Sequence, residues 1–116
     1  MKFSTTRERP VIICIDDDVR LLETLEFLLS KNFPTHRIVA CMNGQDAIEQ
    51  IQECKVAGRE VQLVLSDQVM PDLTGIEVLS RVPDLYPDAV RIILTGQAGL
   101  QSAIDAIKLG IEDYLE

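Results

Sequence analysis

Strand-length runs alternate with segments of helical spacing along this chain, and that alternation restricts its folds more than any other feature. Val11 to Ile15 is a continuous apolar run, as a strand covered on both faces requires. From Asp18 to Lys31, Leu21, Leu22, Leu25, Leu28 and Leu29 recur at helical spacing until "NFP" stops the pattern. "HRIVACM" (36–42) reads as a strand. In 43–58, Asn43 is placed to cap a helix, Ala47, Ile48 and Ile51 share one face, and Gly58 ends it. "VQLVLS" (61–66) is a third strand. A short helix over 73–82 is expected to end before Pro83. "AVRIILT" (89–95) is a fourth strand, 99–110 a helix of small residues, and 111–116 a fifth strand or its beginning. Strands that alternate with helices imply right-handed crossovers and a parallel sheet.

At 116 residues the chain is expected to be one domain, 1–116, with residues 1–10 as an N-terminal arm. Apolar content of 47% fits a globular protein. The net charge of -8 argues against direct binding of nucleic acid. No apolar run is long enough to span a membrane, and "MKFSTTRERP" lacks the apolar core of a signal peptide. Cys14, Cys41 and Cys54 have no metal-ligand spacing and read as small buried hydrophobes, which suits reduced thiols and a cytoplasmic setting. His36 stands alone and reads as a strand-edge or surface residue.

In parallel sheets of this kind, ligands bind beyond the carboxyl ends of the strands. That rim collects the chemically interesting residues. Asp16 and Asp17 follow the first strand, Asp67 follows the third, and Thr95 ends the fourth. Three carboxylates on one rim need a counter-charge. Mg²⁺ supplies one, since it prefers a few carboxylates, a carbonyl and retained waters. A carboxylate beside such a cation can act as a nucleophile toward phosphorus. The Thr95 hydroxyl, next to the unobstructive Gly96, is suited to hydrogen-bond phosphoryl oxygens.

These motifs resemble those of response-regulator receiver domains over essentially the whole chain. The matching residues are Asp16-Asp17, then "SDQVMPDLTG" with Asp67, Met70-Pro71 and Gly75, then "ILTG" with Thr95, and "GIEDYL" with Tyr114. The resemblance implies an α/β, flavodoxin-like, doubly wound parallel sheet of five strands in the order 2-1-3-4-5. It implies that Asp67 is the phosphoacceptor and that Asp17, Asp67 and the Val69 carbonyl bind Mg²⁺, with Asp16 acting mainly through a metal-bound water. Thr95 and Tyr114 become the switch pair, and Val69 and Gln97 lie where the family tunes hydrolysis of the acyl phosphate. Asp18 reads as an acid in the first helical turn, and Pro71 and Gly75 as residues that shape the loop after Asp67.

The partners implied are a sensor histidine kinase or phosphotransfer protein and a downstream effector domain beyond residue 116. Phosphorylation would switch the face formed by the fourth strand, the helix after it and the fifth strand. "SDQVMP" and "ILTGQAG" resemble receivers attached to larger effectors such as nucleotide-signalling phosphodiesterases. One departure stands out: the family's strand-5 Lys would be residue 117, one past Glu116, and the fifth helix would also be missing. The expectation is therefore a longer natural chain. The 116-residue form is expected to be labelled slowly and to self-associate as a homo-oligomer through uncovered residues among Ile92, Ile93, Ile111 and Leu115.

Three other readings compete. "IDDDVR" carries the Asp-x-Asp of haloacid-dehalogenase-type phosphatases, but Arg20 stands where that loop has Thr or Val. A flavodoxin-like cofactor binder would need a Ser/Thr/Gly-rich phosphate loop where the acids stand. The intact acid pocket argues against a pseudo-receiver that is never phosphorylated, and the missing strand-5 Lys keeps that reading open.

Overall fold

The computed structural model describes residues 9–94 and 104–105. Strand β1 (Val11–Ile15) lies at the centre of the sheet and pairs in parallel with β2 (Arg37–Cys41) and β3 (Val61–Asp67). Strand β4 (Val90–Leu94) pairs in parallel with β3, which gives the order β2-β1-β3-β4. This is the flavodoxin-like arrangement. The fifth strand expected over 111–116 lies outside the described residues, as do Ile111 and Leu115; Ile92 and Ile93 are half-buried.

Alternation along the strands builds two cores. Val11, Ile13 and Ile15 face a cluster completed by Ala47, Ile48, Ile51 and Cys54 of α2 (Gly44–Val56), Val78 and Leu79 of α3 (Gly75–Leu79), and Val82 of α4 (Val82–Leu85). Ile12 and Cys14 face the opposite way, toward Leu22, Leu25 and Leu29 of α1 (Val19–Asn32) and toward Ile104. The leucines of α1 thus fall at the spacing that keeps one stripe on the sheet. Burying a leucine of this kind contributes about 1.5–3 kcal/mol. All three cysteines are buried free thiols within these cores. Among the described residues, no helix is long and apolar enough to cross a membrane.

Helix starts follow local chemistry. Asp18 is the N-cap of α1: its Oδ1 accepts from the N–H groups of Arg20 (3.0 Å) and Leu21 (3.2 Å). It therefore sits one step outside the first turn and acts by direct hydrogen bonds as well as charge. Asn43 caps α2 through the Asp46 N–H, at 2.8 Å. Gly58 ends that region with φ +75°, a conformation that favours glycine.

Two expectations need correction. The segment 73–82 is not one helix that stops before Pro83: α3 ends at Leu79, and Pro83 lies inside the first turn of α4. Proline fits there because a first-turn N–H has no intrahelical partner to lose. His36 is at the edge of the sheet but not at the surface, being only 7% exposed. Its Nε2 is within hydrogen-bond distance of the Gln62 Oε1, at 2.7 Å, and its ring meets Phe33 edge-on. Gln62 reaches it because the β1–β3 register slips between Val11 and Ile12, where Gln62 is the extra residue.

Candidate functional site

Strand register assembles the acidic rim. Ile15 is paired with Cys41 on one side and with Ser66 on the other, so the next residues, Asp16 and Asp67, emerge side by side. The Asp16 N–H continues the ladder by donating to the Cys41 carbonyl at 3.1 Å. Carboxylate oxygens of Asp16, Asp17 and Asp67 lie within 4.8 Å of one another. Asp16 is buried, Asp67 half-buried and Asp17 exposed, so the cluster opens outward.

The electrostatics match a site built for a cation. Burial raises the Asp16 carboxyl above its ordinary value, and the charges of Asp67, Asp17 and Asp18 push it the same way. An Asp18 N–H donated to Asp16 Oδ1 at 2.9 Å opposes this and fixes the carboxylate's direction. The donor set is all oxygen, which suits a hard divalent ion. These acids can share one such ion.

The loop after Asp67 is held close to it. The Gly75 N–H donates to the Gln68 carbonyl (3.0 Å), and the Ile76 N–H to the Gln68 Oε1 (3.1 Å). A Cβ on Gly75 would collide with the Asp67 carbonyl oxygen, so the absence of a side chain at this position permits the loop to close. Thr74 and Glu77 form a capping box at the start of α3. Met70 is buried in the core, while Val69 is 76% exposed beside the site. Asp67 pairs with Leu94, the residue before Thr95. Thr95, Gly96, Gln97 and Tyr114 lie outside the described residues.

Asp72 is a residue that sequence reasoning missed. Its carboxylate accepts from the N–H groups of Leu73 (2.8 Å), Gln45 (2.9 Å) and Gly44 (3.1 Å). With Asn43 holding the Asp46 N–H, the first three donors of α2 all have side-chain partners. A cleft of about 240 Å³ between α2 and α4, lined by Ile48, Ile51, Arg81 and Asp84, lies away from these acids.

The pattern of the family described as response regulator receiver domain matches residues 12–116. The chain belongs to this family. Receiver domains of this family are regulatory phosphoacceptor modules rather than conventional enzymes. This receiver domain is 33% identical over 105 residues to the hydrogenase transcriptional regulatory protein HoxA of Bradyrhizobium diazoefficiens, covering 90% of this chain and 20% of that one. It is 31% identical over 108 residues to the transcriptional regulatory protein ZraR of Klebsiella oxytoca, covering 93% and 23%. Among solved structures it resembles the signal receiver domain of an HD domain-containing protein from Pseudomonas fluorescens Pf-5, with 32% identity, a TM-score of 0.62, and coverage of 86% and 74%. A response regulator receiver domain protein from Clostridium thermocellum matches with 28% identity, a TM-score of 0.64, and coverage of 87% and 76%. The receiver domain spans less than half the length of these curated relatives.

Proposed function

We propose that this receiver domain takes a phosphoryl group from the phosphohistidine of a sensor histidine kinase or phosphotransfer protein onto Asp67. The observation that carries the proposal is the convergence of Asp16, Asp17 and Asp67 at the carboxyl ends of two adjacent strands. Asp17, Asp67 and the Val69 carbonyl would hold Mg²⁺, with Asp16 alongside. When bound, the ion offsets the repulsion among the acids and binds phosphoryl oxygens.

A carboxylate oxygen of Asp67 attacks phosphorus in line. The P–N bond to the donor imidazole breaks as the O–P bond forms, and the imidazole leaves with its electron pair. Asp67 becomes an acyl phosphate. Asp16, tied to the Asp18 N–H, keeps its orientation during the transfer. Thr95, Gly96 and Gln97 complete the phosphoryl pocket, with Val69 and Gln97 setting access for the water that later hydrolyses the acyl phosphate. Thr95 and Tyr114 then bias a two-state equilibrium of the face near β4, the following helix and the fifth strand. An output domain elsewhere on a longer chain reads that face; the transcriptional regulatory proteins among the relatives support this reading.

The test is transfer from a phosphorylated histidine kinase domain. Label should pass to the chain only with Mg²⁺ and should vanish in Asp67→Asn. Undiminished labelling of Asp67→Asn would reject the assignment.

A further inference from the structure

We propose that Asp72 is a positioning residue for the metal site, acting by clamping the loop after Asp67 onto the N-terminus of α2. This rests on the reading of Asp16, Asp17, Asp67 and the Val69 carbonyl as ligands. One carboxylate accepts hydrogen bonds from its own loop, at the Leu73 N–H, and from the first two amides of a helix 27 and 28 residues away. Three N–H donors and the positive end of a 13-residue helix converge on it. The packing beneath is equally close: a Cβ on Gly44 would come within 2.9 Å of both the Leu73 Cβ and the Val78 Cγ2. The loop is thus pinned at two places. Gln68 holds its two ends together through Gly75 and Ile76, and Asp72 holds its middle against α2. Between these pins lies Val69, whose carbonyl must keep a fixed direction to serve an ion that tolerates little distortion. Partners that orient metal ligands commonly change metal affinity about 10- to 100-fold when removed.

The experiment titrates the 116-residue chain with Mg²⁺ alone, following backbone amide shifts by NMR well below the melting temperature. Four forms are compared: the parent, Asp72→Ala, Asp72→Asn and Tyr86→Phe. Tyr86→Phe removes a remote 2.7 Å hydrogen bond to the Arg59 carbonyl and serves as a destabilised control. Asp72→Ala should bind Mg²⁺ about tenfold more weakly. Asp72→Asn, which keeps one accepting oxygen, should recover part of that loss, and Tyr86→Phe should match the parent. If Asp72→Ala fails to fold, Asp72→Asn carries the test, with weaker binding than the parent expected. A parent that binds Mg²⁺ together with Asp72 variants of equal affinity contradicts the positioning role alone. Equal weakening in Tyr86→Phe also contradicts it, since loss of stability would then explain the effect. A parent that binds no Mg²⁺ contradicts the metal site itself, and this inference with it.

Discussion

The carbonyl oxygen of Asp67 fills the space that a Cβ on Gly75 would take. The proposed phosphoacceptor and the start of α3 are therefore in backbone contact across a loop of seven residues, 68–74. The Ile93 Cδ1 lies 2.8 Å from the same point, so the position is closed from two sides. Backbone cannot rotate away as a side-chain end can.

Gly75→Ala should therefore cost about 1–3 kcal/mol through overpacking against fixed atoms. Urea denaturation measures this directly. A change within about 0.5 kcal/mol, typical of an uncritical surface site, would mean that the loop yields freely.

Asp17→Ala should remove most Mg²⁺ binding, because Asp17 is the exposed member of the acid cluster and the one reached first from solvent. Calorimetric titration of parent and variant compares them. Indistinguishable isotherms would reject this residue as a ligand.

Asp72 should leave a signature in acid. The Gln45 N–H, followed by those of Gly44 and Leu73, holds its carboxyl below the ordinary value. With the folded value depressed, the unfolded chain binds more protons between the two values, so stability rises with pH there. The contribution is full above the unfolded value of about 3.9 and is lost as pH falls through the folded one. The stability gap between parent and Asp72→Asn should thus be widest near neutrality and shrink below about pH 4. A gap independent of pH would show that the carboxylate charge is not involved.

The three thiols should be inert in the folded protein. Burial pushes Cys14 up to about 12 and Cys41 up to about 11, and raises Cys54 as well. Thiolate, the reactive form, is then scarce at neutral pH. Iodoacetamide should modify the cysteines only after denaturant is added. Rapid alkylation of Cys14 in native buffer would contradict its place in the core.

The rim was legible in the sequence because its acids stand at the ends of strand-like runs, and a parallel sheet brings such ends together. Helix caps Asn43 and Asp18 were legible to within one position for a different reason: their partners are two or three residues away. What escaped was non-local. Asp72 meets amides 27 and 28 residues distant, and His36 meets Gln62 across a bulge that no periodicity announces. Pro83 escaped differently: one residue type both stops helices and starts them, and only the backbone decides which.

The most direct measurement is the site of phosphorylation. The protein is incubated with acetyl phosphate and Mg²⁺, the acyl phosphate is trapped by borohydride reduction, and tryptic peptides are sequenced by mass spectrometry. Asp67 and Asp72 fall in peptide 60–81, while Asp16, Asp17 and Asp18 fall in peptide 8–20, so the peptide separates the two groups and fragmentation within 60–81 distinguishes Asp67 from Asp72. The account predicts modification in 60–81, localised to Asp67, absent without Mg²⁺ and absent in Asp67→Asn. Modification in 8–20, or on Asp72, or undiminished in Asp67→Asn, would contradict it.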